Sequence, residues 1–256
     1  MKGWPKSVLA LLCVAFSLQA TACQLRFAAE TDFPPHLIKN DEQHWHGQTA
    51  ELLQALAAKV GCNIDYRSSP WLRSLMQLKS GELDVISHLY RNTEREKDYY
   101  FLGPHHLEAI WLIGKAADFK DVRTLTDTIH LKPAPRIAVL NGAYYGEDFA
   151  AVQRNPGFAA LLVPISSIQD KLALLNADRV DAILEDRSVL HYWQHHKQKS
   201  ADLYQPIVQV YQAPVYFGFS KKSISAAEFA KLQQAWLAME KDQTVRSIQQ
   251  RYQPQL

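Results

Sequence analysis

The chain has 256 residues, with 28 lysines and arginines against 26 aspartates and glutamates, a formal charge of +2 and 47% hydrophobic residues. This near-neutral balance, with no basic tract and no interleaving of basic and aromatic residues, excludes an electrostatic nucleic-acid binder.

The first 22 residues read as a secretory signal. Lys2 and Lys6 form a charged start, "VLALLCVAFSL" (8–18) an apolar stretch too short to span a bilayer, and Ala20 to Ala22 a small-residue cleavage site. Removing Lys2 and Lys6 from the 28 basic residues leaves 26 against 26 acidic. An exported chain of periplasmic location is expected, with no membrane span after processing. Cys13 leaves with the signal, and Cys23 and Cys62 remain. In an oxidising compartment two thiols most simply make one disulfide, worth about 4 kcal/mol for a loop of roughly 40 residues. The alternative is a lipid on Cys23, although Ala20 stands where a lipoprotein signal usually has leucine; both uses need the same sulfur.

"LRFAA" (25–29) predicts a strand ending at the loop "ETDFPPH". "TAELLQALAAKVG" predicts an amphipathic helix with Leu52, Leu56 and Val60 on one face and Gly61 as its stop. "CNIDYRS" is a second strand. Ser69 is the expected cap of a helix with Pro70 at its first position and Leu72, Leu75 and Leu78 on its apolar face. "LDVISHLY" (83–90) is a third strand. Thr93 with Glu96 reads as a capping box, which leaves Arg95 in a first helical turn beside the positive end of the dipole. A cation there is unfavourable unless an anion joins it.

The pattern then returns. "RIAVL" (136–140) is a strand, Ser167 and Asp170 suggest another capping box, and "VDAILE" (180–185) is a strand. "LMQLKSGELDVI" (75–86) aligns with "LALLNADRVDAI" (172–183), placing Asp84 opposite Asp181. Alternating strands and helices, twice over, predict an α/β fold of two similar lobes. "LEAIWLIGK" (107–115) and "IVQVYQAPVYFGFSK" (207–221) are the expected crossover strands. Ser225 and Glu228 box a helix whose stripe of Phe229, Leu232, Trp236 and Met239 reads as core, and the C-terminal helices are expected to return to the first lobe. The expected division is 23–110 plus 213–256 for one lobe and 111–212 for the other.

"ETDFPP", "GQTAELLQALAAKVGC", "PWLRSLMQLKSGELDVI", "RNTEREKDYYFLGP", "ADRVDAILEDRSVL" and "PVYFGFSKKS" occur in that order. Together they resemble the family 3 extracellular solute-binding proteins, the periplasmic receptors of polar amino-acid ABC transporters, over roughly residues 24–253. The resemblance implies a type II periplasmic-binding-protein fold, two lobes closing over a small molecule, a monomer, no cofactor and an inner-membrane ABC permease as partner. It implies that Arg95 binds a ligand carboxylate and that Asp186 binds an ammonium, with helix capping as the plain alternative for Asp186. Phe33 falls where an aromatic covers the ligand, Gly142 and Ala143 match a loop whose N–H groups reach the carboxylate, and Trp71 and Arg73 match "P-W-x-R". Two departures stand out. His88 and Tyr90, after Ser87, replace small hydroxyl residues, and Tyr144 and Tyr145 replace the hydroxyl of the second-lobe loop. Bulky rings put a standard α-amino acid in doubt and leave a small polar or zwitterionic solute.

The ten histidines include His191 and His195 at helical spacing, His44 and His46 around Trp45, and the pair His105 and His106. None has a carboxylate or cysteine partner at ligand spacing, so a solvated polar face rather than a metal site is expected. The rival to binding is a cleft enzyme of the same fold, like the cyclohexadienyl dehydratases, with Glu30 or Glu185 as its acid; a stand-alone sensor module is a third reading.

Overall fold

The computed structural model describes residues 23–29, 33–42, 44–196 and 199–252. The signal-like segment 1–22 and Glu30 lie outside the described residues. Along the first half run β1 (Cys23–Ala28), β2 (Ile38–Lys39), β3 (Trp45–His46), α1 (Gln48–Lys59), β4 (Cys62–Arg67), α2 (Trp71–Ser80), β5 (Val85–Tyr90), α3 (Thr93–Asp98) and the long β6 (Tyr99–Lys115). The second half holds β7 (Ile137–Leu140), α4 (Gly146–Gln153), α5 (Pro156–Ala159), β8 (Leu162–Ile165), α6 (Asp170–Asn176), β9 (Ala182–Asp186) and α7 (Arg187–His195). It ends with β10 (Tyr204–Ser220), α8 (Ala226–Lys241) and α9 (Thr244–Tyr252).

Eight strands form one curled sheet in the order β4-β1-β5-β10-β6-β9-β7-β8. β1 runs parallel to β4 and β5, and β7 runs parallel to β8 and β9. Between these parallel groups lie β6 and β10, each 17 residues long and antiparallel to one another. β5 pairs with the C-terminal part of β10, at Val215 to Phe219, whereas β9 pairs with the C-terminal half of β6, at Ile110 to Gly114. The two long strands therefore belong to both lobes and join them. They start earlier than the apolar runs indicate, because Tyr99 to Leu102 and Tyr204 to Pro206 also pair in the ladder between them.

Leu52, Leu53 and Leu56 of α1 are fully buried in the first lobe's core, where α8 and α9 return to pack on α1. The stripe of Phe229, Leu232, Trp236 and Met239 is buried there, behind the Ser225–Glu228 capping box. Leu112, Ile137, Phe149, Phe158 and Leu184 make the second lobe's own core. Cys23 and Cys62 sit opposite one another at the start of β1 and β4 and are joined as a disulfide, so the Cys23 sulfur is not free for a lipid.

Three local expectations are corrected. The cap of α3 is Asn92, whose side chain accepts from the Arg95 N–H at 2.8 Å; Thr93 is already helical, and Glu96 pairs instead with Arg91. α2 starts at Trp71 with Pro70 at the cap, and the Ser69 hydroxyl turns to Gln77 at 2.8 Å. Of its leucines Leu78 is buried but Leu72 is half exposed, because it sits at the rim of the cleft opposite Gly142. α6 begins at Asp170 without a box, since Ser167 accepts from the Gln169 N–H.

Candidate functional site

The lobes close over a cavity of about 90 Å³ at the ends of β5, β7 and β9. One ordered water needs about 10–15 Å³, so this is room for a small molecule. Of the residues singled out in the sequence, Phe33, Trp71, His88, Tyr90, Arg95, Ala143 and Tyr144 line it. Gly142 and Asp186 do not. Ser69, Ser87, Tyr145 and Glu185, also named in the sequence, are on its wall, together with Ser74, Glu108 and Lys171.

Arg95 reaches the cavity from the first turn of α3, and its Nη1 donates to the Tyr90 carbonyl at 3.0 Å. Among the described residues it has no ion pair with a carboxylate. Burial pulls its guanidinium below the ordinary value, partly offset by nearby Tyr99; a guanidinium nevertheless stays charged. An uncompensated, partly buried fork beside the N-terminal dipole of a helix favours a carboxylate. This is the physical answer to a cation in an unfavourable turn.

Asp186 is turned away from the cavity. One oxygen caps α7 by accepting from the Ser188 N–H at 2.6 Å, and the other accepts from Ala109 N–H at 3.0 Å and meets His106 Nε2 at 3.1 Å. Its pKa is lowered to about 2: burial works against the charge, but the hydrogen bonds from His106 and Ser188 outweigh it. Glu185, one residue earlier on β9, faces the cavity instead, as strand alternation requires. The second-lobe loop also differs from expectation. Ala143 N–H is used in a turn to Leu140 at 3.1 Å, while the Gly142 carbonyl accepts from Trp71 Nε1 at 3.1 Å. That bond crosses from α2 to the loop after β7, tying the two lobes at the cleft mouth. Arg73, on the exposed side of α2, does not line the cavity.

Glu108 was not apparent from sequence; it lies within the long apolar run of β6, and only the ladder puts it beside Tyr90. The Tyr90 hydroxyl donates to its carboxyl. Burial, then the charge of Asp186, raises Glu108 to about 8, with the Tyr90 bond opposing. Lys171 Nζ meets Glu185 at 2.7 Å and also donates to the Leu184 carbonyl at 2.9 Å. Burial alone would pull this lysine down, but Glu185 holds it above its ordinary value. Both residues are under 5% exposed, so the pair neutralises itself in the wall. Tyr90, Tyr144 and Tyr211 meet edge to face with centroids 5.1–5.9 Å apart.

The histidines are not all solvated, contrary to expectation. His36 and His105 are fully buried, His88 nearly so, and their rings pack with His106 and Phe33 directly behind the cavity. Burial, then the neighbouring His106, holds His36 at about 3; burial, then nearby histidines, pushes His88 and His105 well below the usual range. His191 and His195 do stack on the outer part of α7.

Residues 25–255 match the model of the bacterial extracellular solute-binding proteins, family 3. The chain belongs to this family. A "Probable amino-acid ABC transporter-binding protein" of Haemophilus influenzae is 22% identical over 174 residues, 67% of this chain and 63% of that relative. The chain thus spans less than two thirds of that relative's length. Among solved structures, an ancestral arginine-binding protein bound to arginine matches with a TM-score of 0.76 at 21% identity, covering 90% of this chain and 97% of its own. An ancestral amino-acid-binding protein, described as a precursor of cyclohexadienyl dehydratase, matches with 0.70 at 20% identity, covering 90% and 94%. These likenesses show the shared fold. No described helix of this family member is long and apolar enough to cross a membrane.

Proposed function

We propose that this chain is a periplasmic substrate-binding protein that captures a small carboxylate-bearing solute and hands it to an ABC permease of the inner membrane. The solute is an amino acid or a related acid. The observation that carries this reading is Arg95, a guanidinium in the cavity wall with no carboxylate partner among the described residues. Family membership and the Haemophilus relative support the transport role. In this reading the protein works as a monomer, with 1–22 as its signal. Lobes 23–110 plus 213–256 and 111–212 rock about β6 and β10, and bound solute favours closure through contacts to both. An amine on the solute meets Glu108, whose carboxyl ionises against the arriving ammonium, and the tyrosine faces rather than Asp186.

A thermal-shift screen against amino acids, amines and organic acids tests it. Ligand at 100 times its Kd adds about 2.7 kcal/mol, or roughly 5–10 °C for a chain of this size. A shift with carboxylates that Arg95→Ala abolishes supports the reading; a carboxylate shift unchanged by that substitution defeats it. A second reading, a cleft enzyme of the same fold, is favoured by Glu108, a carboxyl enclosed in the cavity and bonded to Tyr90. Glu185, the sequence candidate for a general acid, is instead committed to Lys171. Turnover of prephenate-like acids, lost in Glu108→Gln, would favour the enzyme.

A further inference from the structure

We propose that His36, His106 and Asp186 bind one divalent transition-metal ion of the zinc class, behind the solute cavity, with the fourth position filled by water or by the His88 ring once it turns toward the ion. The three residues come from the loop after β1, from β6 and from the end of β9. One ligand atom from each lies within 4.8 Å of the other two. Around a tetrahedral zinc with bonds of 2.0–2.1 Å, ligand atoms stand about 3.4 Å apart. His106 Nε2 and Asp186 Oδ2 are already 3.1 Å apart, so a small inward shift of the rings completes the set.

Without an ion two ring nitrogens here, one on His36 and one on His88, are left without partners among the described residues. His36 is wholly buried; Nε2 meets Ser188 Oγ at 3.2 Å, and Nδ1 has no hydrogen-bond partner among the described residues. His88 Nε2 is likewise buried and unpartnered, with its other ring nitrogen 3.1 Å from Ser87 Oγ. Orphaned polar atoms in a protein interior are costly and uncommon, and two of them on rings 4.5 Å apart ask for a shared partner. His88 also has a backbone φ of 55°, a conformation rare outside glycine, which aims its N–H at His105 Nε2, 3.2 Å away. His105 is thereby a support for His88 and not a ligand.

The surroundings have the form of an outer shell. Ser188 N–H and Ala109 N–H hold the two Asp186 oxygens, and Ser188 Oγ meets the His36 ring; such groups orient metal ligands and fix their tautomers. Imidazole with one carboxylate selects zinc, cobalt, nickel or copper over magnesium or calcium. Asp186 belongs to the second lobe, His36 and His88 to the first, and His106 to a crossover strand, so the ion joins both lobes. This site stands independently of which solute the cavity takes.

The test is calorimetric titration of Zn²⁺ into chelator-stripped, untagged exported protein, with the visible spectrum of the Co²⁺ form. One equivalent should bind, and Co²⁺ should give a four-coordinate spectrum. H106Q should weaken zinc by at least ~10-fold, since losing a ligand costs no less than losing an outer-shell partner. H191Q/H195Q, which removes the stacked pair on α7, should leave zinc binding unchanged. Absence of a bound equivalent, or loss of binding in H191Q/H195Q with H106Q unaffected, would overturn the proposal. Should H106Q not fold, the wild-type spectrum decides: six-coordinate Co²⁺ counts against the site.

Discussion

Arg26 grips Asp84 with its backbone N–H at 2.8 Å and with Nε at 2.8 Å, while its Nη2 also caps the Gly81 carbonyl at 2.9 Å. Arg136 holds Asp181 in the same way, with 2.7 Å and 3.0 Å contacts, and its Nη2 reaches the Asp178 carbonyl at 2.7 Å. One fork per lobe thus locks the first strand of each repeat to the turn before its third strand. The aligned aspartates in "ELDVI" and "RVDAI" are its visible half.

Both aspartates are held below the ordinary carboxylate range. For Asp84, burial raises the value, but hydrogen bonds from Arg26 more than reverse it; for Asp181, the Arg136 bond leads. A depressed folded pKa contributes stability above the unfolded value, about 3.9, and that stability is lost as pH falls through the folded value. Arg26→Ala should cost about 1–3 kcal/mol at pH 7, because Asp84 stays buried without its partner. Melting curves from pH 7 to pH 3 should show a flatter acid limb in Arg26→Ala/Arg136→Ala than in wild type. Parallel curves would mean the forks do not carry the acid sensitivity.

Arg95→Lys should retain charge but lose the two-pronged geometry, weakening carboxylate binding by roughly 10-fold, and Arg95→Ala by 30-fold or more. Glu108→Gln should hurt amine-bearing solutes more than simple acids. Calorimetry with matched pairs, an amino acid and its deaminated acid, separates the two effects. Equal losses for both members in Glu108→Gln would remove Glu108 from amine recognition.

The bond from Trp71 Nε1 to the Gly142 carbonyl forms only when the lobes meet. Trp71→Phe keeps a ring and deletes the donor, so solute affinity should fall about 2- to 12-fold, equivalent to 0.5–1.5 kcal/mol. Gly142→Ala is harsher. Gly142 has φ 76°, and a Cβ there would stand 2.9 Å from Leu72 Cδ1, on the opposite lobe. Faster solute release in both variants, read by stopped flow, is the expected outcome; unaltered release would show that this contact does not latch the cleft.

Lys171→Met should destabilise by about 3–5 kcal/mol, because Glu185 would remain as a buried, unpaired charge. Lys171→Met/Glu185→Leu should recover most of that loss. Urea denaturation of the double-mutant cycle checks it, and a double variant no more stable than Lys171→Met would mean that packing, not charge pairing, is at stake.

Much of this protein is a property of neighbours along the chain. The helical stripe of α8, the Ser225–Glu228 box and the repeated strand–helix order all follow from local periodicity and capping, and the disulfide from there being only two cysteines left to pair. They were legible for that reason, and so was Arg95, whose place in a first turn is a conflict within six residues. The cavity's composition is a different kind of fact. Glu108 enters it because β6 pairs with β10 and β9 in one register, and Glu185 rather than Asp186 faces it because adjacent strand residues point to opposite sides. His36, His88, His106 and Asp186 are spread over 150 residues of sequence and meet only when two lobes and a crossover strand are packed together. Short-range spacing determined the elements and their repeat; long-range register decided which side chains share a wall, since each such contact depends on strands and loops far apart in the chain.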